Sequence, residues 1–196
     1  LGVDLLTINA AKVYGPKGIG ALYVARGIRL SPITFVGGQE MGLRSGTENV
    51  PNLVGFSVAS ELAKKHLISS RKQYQTLAKT FREIIEQKSK ITPRWLGNPK
   101  HQLVNFIPVC FDGLDAERLI FKLEDRGIYV STGAACAASK GQKSHVLSAI
   151  GLSDSEIAGS LRITLGKDTT IEDIKTAADN LAEVVNLEAR RLKLID

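Results

Sequence analysis

Two short apolar runs on either side of a fixed turn constrain this chain more than any other feature. Residues 3–8 (Val-Asp-Leu-Leu-Thr-Ile) and 19–25 (Ile-Gly-Ala-Leu-Tyr-Val-Ala) each read as a buried β-strand. Between them, residues 9–18 read Asn-Ala-Ala-Lys-Val-Tyr-Gly-Pro-Lys-Gly. Lys12 sits four residues past the end of the first run. A lysine there projects from the C-terminal edge of a strand, where α/β sheets place their ligands. Gly15, Gly18, Gly20 and Pro16 set tight turns beside it. A lysine in a Gly/Pro loop is more often only solvated. Its meaning therefore depends on what else the chain carries.

With 196 residues, 43% of them hydrophobic and 23% charged, the chain is expected to build a packed core in one large or two small domains. No apolar run reaches the roughly 18 residues of a membrane helix, and no secretion leader is visible. The sequence opens at Leu1 in mid-pattern, as an N-terminally truncated sequence would. Cys110 and Cys136 make neither a disulfide framework nor a zinc set, and His66, His101 and His145 are scattered, so no metal site is expected. A reducing cytoplasm is the expected location. The net charge of +6 is concentrated. Residues 61–100 carry ten Lys and Arg against Glu61, Glu83 and Glu86, a net +7 that leaves −1 for the rest. A solvated helix face explains this block better than nucleic acid does, because aromatics are sparse there and no nucleic-acid motif appears.

Residues 37–47 (Gly-Gly-Gln-Glu-Met-Gly-Leu-Arg-Ser-Gly-Thr) form a glycine-dense segment too long for an ordinary turn. Arg44 and Thr47 offer a guanidinium and a hydroxyl for a phosphate or carboxylate, although a plain surface loop reads equally well. A helix is expected from about Asn49–Pro51, and a second over 70–89 with Leu77, Phe81, Ile84 and Ile85 as its apolar stripe. A strand over 103–111, a helix capped by Asp115 and ended by Gly127, and a strand over 128–131 make a β-α-β unit. Further on come a short helix over 144–150, a helix opened by the capping box Ser153–Glu156, and an alternating strand over 160–165. A capping box at Thr169–Glu172 is expected to open the last helix.

The β-α-β unit leads directly into Thr-Gly-Ala-Ala-Cys-Ala-Ala-Ser-Lys-Gly-Gln, residues 132–142. This stretch is small and polar and reads as an exposed loop. Cys110, between Val109 and Phe111, reads as a buried strand residue. Cys136 does not, and is either a nucleophile or an incidental surface thiol. Arg162 is either an outward strand charge or an inward carboxylate clamp.

Taken together, Val-Tyr-Gly-Pro-Lys-Gly-Ile-Gly-Ala-Leu-Tyr-Val, Gly-Gly-Gln-Glu through Arg-Ser-Gly-Thr-Glu-Asn-Val, and Ser-Thr-Gly-Ala-Ala-Cys resemble the class V, fold-type I pyridoxal-phosphate enzymes, and within them the cysteine desulfurases. The resemblance runs over essentially the whole chain. It implies an α/β fold. Residues 1–70 would be the end of a large cofactor domain, and 71–196 a small α+β domain carrying the cysteine loop. It implies pyridoxal 5′-phosphate as cofactor and L-cysteine as substrate. Lys12 matches the Schiff-base lysine, which would also move the substrate's α-proton. Asn9 and Thr47 match cofactor contacts, with Thr47 reaching the phosphate of a neighbouring subunit so that a homodimer shares its sites. Arg162 matches the substrate-carboxylate clamp. Cys136 matches the nucleophile that takes sulfur from cofactor-bound cysteine, leaving alanine and a persulfide for an acceptor such as an iron–sulfur scaffold. The long loop after Cys136 looks like the branch serving iron–sulfur clusters and tRNA thiolation.

The chain departs from the family pattern at Asn9 and Ala11, where a serine or threonine and a histidine are usual. Asn9 still offers a hydrogen bond; Ala11 offers none. The aspartate expected at the pyridine nitrogen and the aromatic residue stacked on the ring belong upstream of Leu1, so this polypeptide alone is not expected to be a competent enzyme. The rival readings are another class V enzyme, such as an aminotransferase or a selenocysteine lyase, and a non-catalytic sulfur-relay scaffold. Replacing Cys136 separates the first, and cofactor absorbance separates the second.

Overall fold

The computed structural model describes residues 1–132 and 144–196 and divides into two compact units, Leu1–Ile68 and Ser69–Asp196. In the first, β1 (Leu5–Asn9) and β2 (Gly20–Val24) pair antiparallel, with Leu5 opposite Val24 and Asn9 opposite Gly20. Gly20 is required there: a Cβ would sit 2.5 Å from the Ile8 carbonyl oxygen. The two runs expected to be buried strands are strands, but exposed ones. Leu5, Ile8, Leu22 and Tyr23 are all about half exposed, because the unit supplies no layer to cover either face of a two-stranded ribbon.

Where two helices were expected there is one, α1 (Val50–Lys88). Asn49 Oδ1 accepts the Asn52 N–H at 3.3 Å, and Pro51 lies in the first turn. Nothing between residues 60 and 75 breaks it. Ser60 and Thr76 return their hydroxyls to the carbonyls four residues back, at 2.8 and 3.3 Å. Residues 60–69 are exposed on every side, which a propensity-driven helix tolerates and an apolar stripe does not reveal.

The second unit is a four-stranded sheet in the order β3-β4-β6-β5: β3 (Arg94–Trp95), β4 (Phe106–Cys110), β5 (Ser131–Thr132) and β6 (Ser160–Thr164). Every neighbouring pair is antiparallel, so β4 and β5 run parallel with β6 between them. The expected β-α-β unit is therefore a split one. Its second strand begins at Ser131, because Ile128 instead donates its N–H to the Leu123 carbonyl and closes helix α2 (Ala116–Glu124). Asp115 caps α2 through the Glu117 N–H at 2.9 Å, and Gly127 follows it in the left-handed region at φ 73°.

On one face of the sheet, Ile107, Val109, Leu161 and Ile163 join Leu77, Phe81 and Ile85 of α1, Leu119 and Leu123 of α2, and Ile174, Leu181 and Val185 of α5 (Ile171–Arg191) in a single core. On the opposite face, Leu96 and Cys110 pack with Leu147 of α3 (His145–Ala149), Leu152 and Ile157 of α4 (Asp154–Ala158). Cys110 is fully buried, as its place in the sequence suggested. The Ser153–Glu156 capping box forms as expected. That of α5 is shifted by one residue: Thr170 and Asp173 cap it, while Thr169 Oγ1 accepts the Gly166 N–H at 2.9 Å.

Candidate functional site

Asn9 and Lys12 share one short piece of structure. Asn9 ends β1 and caps a 3-10 turn, Ala10–Val13, by accepting the Ala11 N–H on Oδ1 at 2.9 Å. One lone pair of that oxygen is thereby used, and the side chain also presents its amide N–H group. Ala10 is completely buried. Its N–H donates to the Ile19 carbonyl at 3.1 Å, and its carbonyl accepts from Tyr14 and, at 2.8 Å, from Gly15. Tyr14 is left-handed, at φ 62°. Lys12 itself is exposed. The turn is thus fastened on both sides while the amine stands clear of it.

The seat of that turn was not legible in the sequence. A Cβ on Gly15 would meet the Ala10 carbonyl oxygen at 3.0 Å and the Ala59 methyl at 3.2 Å. A Cβ on Gly55 would meet the ring of Pro16 at 2.7 Å. Gly55 and Ala59 lie one turn apart on α1. The Gly-x-x-x-Ala spacing was the available signal, but such spacing gains meaning only when the partner is known.

Thr47 lies in the same unit, exposed, three residues before α1. The glycine-dense segment leading to it is organised by Ser45, one of the few buried polar residues. Its hydroxyl accepts from the N–H groups of Val36 (3.2 Å) and Gly37 (3.1 Å), and the carbonyls of Thr34 and Gly37 lie within reach of its proton. Its own N–H donates to Thr34 Oγ1 at 3.2 Å. The Arg44 guanidinium donates to the Ser45 carbonyl, and Gly46 N–H to Gln39 Oε1 at 3.3 Å. Glu40 and Met41 both take positive φ, at 49° and 59°, an arrangement that non-glycine residues rarely adopt.

Arg162 belongs to the second unit, on β6, half-buried, with Pro108 of β4 on one side and Ser131 of β5 on the other. Leu161, Ile163 and Leu165 face the core, so Arg162 and Thr164 share the other face, as the alternation predicts. Cys136 lies outside the described residues. Among the described residues, no group of His, Cys, Asp and Glu could hold a metal ion.

The sequence model of the family described as Aminotransferase class-V matches residues 1–176. The chain is 42% identical over 194 residues to "Cysteine desulfurase IscS 1" of Archaeoglobus fulgidus, covering 98% of itself and 49% of that protein. It is 40% identical over 186 residues to "Cysteine desulfurase IscS" of Methanosarcina thermophila, covering 94% and 45%. Among solved structures, a "NifS-like protein" superposes with a TM-score of 0.83 at 31% identity, over 95% of this chain and 47% of that one. The chain spans about half the length of the relatives it matches.

Proposed function

Because the chain belongs to the class-V aminotransferase family, we propose that it carries the lysine-bearing and cysteine-bearing part of a pyridoxal-phosphate-dependent cysteine desulfurase. The observation that carries this reading is the Lys12 turn: an exposed amine on a segment capped by Asn9, buried at Ala10 and locked at Gly15. These residues fit a phosphorylated aldehyde. The amine is accessible for imine formation, and the Asn9 amide and Thr47 hydroxyl are donors suited to its oxygens.

When bound, pyridoxal phosphate supplies the electron sink that lets the substrate's α-proton leave and its C–S bond break. Lys12 would hold the cofactor through its amine and, when that amine is free, would carry the substrate's α-proton. Arg162 binds the substrate carboxylate through its planar fork, and its place in the middle of a sheet fixes the orientation of that carboxylate. The Cys136 thiolate attacks the substrate sulfur. The new S–S bond forms as the substrate's C–S bond breaks, the released pair stays on carbon, and protonation there gives alanine. Cys136 follows Thr132 by four residues, a tether of at most about 14 Å, and Thr132 is next to the Ser131–Arg162 pair. The persulfide passes to an acceptor protein such as an iron–sulfur scaffold; the names of the relatives support the removal of sulfur from cysteine. A homodimer sharing sites through Thr47 and a cytoplasmic location complete the proposal. Among the described residues, no helix is long and apolar enough to cross a membrane.

The test is product analysis on the full-length protein with L-cysteine. Cys136→Ala is expected to stop sulfide and persulfide production while leaving cofactor absorbance intact, and Lys12→Ala to change that absorbance. Unchanged turnover in Cys136→Ala would favour an aminotransferase. A protein without cofactor absorbance would favour a scaffold.

A further inference from the structure

We infer that Gly55 and Ala59 of α1 are positioning residues for Lys12, acting through the Tyr14–Pro16 segment; this rests on the reading of Lys12 as the cofactor lysine. The helix is cut back at two places one turn apart, and each cut receives a specific part of the lysine turn. Gly55 accepts the Pro16 ring, which leaves no room for a Cβ: Cγ would stand at 2.7 Å and Cδ at 3.3 Å. The Ala59 methyl meets the Gly15 backbone, where an added Cβ would stand 3.2 Å from it. Ala59 is itself buried. The contact is small, and a larger side chain on α1 would bury more apolar area. A glycine inside a helix also costs stability. Apolar burial therefore does not account for Gly55; close approach of the turn does.

The turn has few ways to yield. Pro16 fixes its own φ, Tyr14 already occupies the left-handed region, and Gly15 is bonded back to the Ala10 carbonyl at 2.8 Å. Ala10, at the start of the same 3-10 turn, is fully buried and cannot sink further. A push at Pro16 is therefore passed along the turn that bears Lys12 rather than absorbed locally. The amine is the exposed end of that lever. A cofactor lysine has to be aimed as well as present, since misplacement on the scale of about 1 Å can cost a reaction up to roughly a hundredfold.

The experiment labels the full-length protein with pyridoxal phosphate, traps the imine with borohydride, and quantifies each lysine by peptide mass spectrometry. Lys17, on the same loop but beyond Pro16, serves as the internal reference. Gly55→Ala is expected to lower trapping at Lys12 relative to Lys17 by about tenfold. Adding Pro16→Ala removes the ring that the new methyl strikes, and is expected to restore the Lys12 to Lys17 ratio. If Gly55→Ala were too unstable to fold, Ala59→Val with the same readout would decide, with circular dichroism as the check on folding. Folded variants whose Lys12 labels like the parent, or in which Lys12 and Lys17 fall together, would overturn the inference. Absence of preferential Lys12 labelling in the full-length parent would instead overturn the reading on which it rests.

Discussion

Pro108 stands directly opposite Arg162 in the β4–β6 ladder, and its carbonyl turns away, accepting the Leu96 N–H at 3.0 Å on the other side. The two residues are therefore a non-hydrogen-bonded pair, the kind in which facing side chains come closest. A proline costs nothing at that position on the β6 side, since no N–H is called for there. Its ring stiffens the strand beside the arginine.

From this follows the first prediction, on the proposed carboxylate clamp. Arg162→Lys keeps the charge but loses the two-pronged geometry. In the full-length enzyme it is expected to raise KM for L-cysteine roughly ten- to hundredfold, the worth of one charge-assisted hydrogen bond, with a smaller change in kcat. Steady-state kinetics measure both. An unchanged KM would remove Arg162 from substrate binding.

The second concerns Glu188 on α5, a carboxylate only 4% exposed that faces three cations. Arg191 lies at 2.7 Å, Arg118 at 3.1 Å and Lys122 at 3.4 Å. Burial alone would raise its pKa. The hydrogen bonds and charges of Arg191 and Arg118 outweigh burial and bring it to about 2, below the ordinary 4.5. Between those values the unfolded chain binds the proton and the folded one does not. The stabilisation is thus complete above pH 4.5 and is lost as pH falls toward 2. Glu188→Gln is expected to cost roughly 2–4 kcal/mol at pH 7, since it strands the cations of α2 and α5. The gap between variant and parent should close in acid. Urea unfolding at neutral pH and near pH 2 measures it.

How much of this was legible beforehand depended on the range of the interactions involved. The caps at Asp115 and Ser153 are local bonds over two or three residues and were read correctly, as was the inward alternation of Leu161, Ile163 and Leu165. Thr169 and Thr170 are chemically equivalent caps, so only geometry could choose Thr170. The continuity of α1 was hidden because its middle has no apolar stripe, although nothing there breaks a helix. Strand burial in residues 3–8 was misjudged because burial is a property of neighbours, not of composition. Lys12 and its Gly-Pro turn could be singled out from the sequence. The notch at Gly55 and Ala59 could not, since it exists only once residues 15–16 are laid on α1.

The third prediction follows from the exposed apolar side chains of the first unit. Ile33, Phe35, Val36 and Met41 are each more than 80% exposed, and both faces of the β1–β2 ribbon are open. Apolar surface on this scale binds partners or aggregates. The 196-residue chain on its own is expected to bind a hydrophobic dye strongly. Phe35→Ser with Met41→Ser should reduce that binding and leave the unfolding of the second unit unchanged. Dye fluorescence and melting curves check both. Weak dye binding by the parent would contradict the exposure described.

The central claim is that sulfur leaves L-cysteine onto Cys136 by chemistry that Lys12 makes possible. Single-turnover reaction of the full-length protein with pyridoxal phosphate and L-cysteine, followed by trapping and peptide mass spectrometry, tests it most directly. One additional sulfur atom on the peptide containing Cys136, matched by one alanine released and absent in Lys12→Ala, is the predicted result. Alanine released with no sulfur on Cys136, or sulfur on Cys136 that persists in Lys12→Ala, would contradict it.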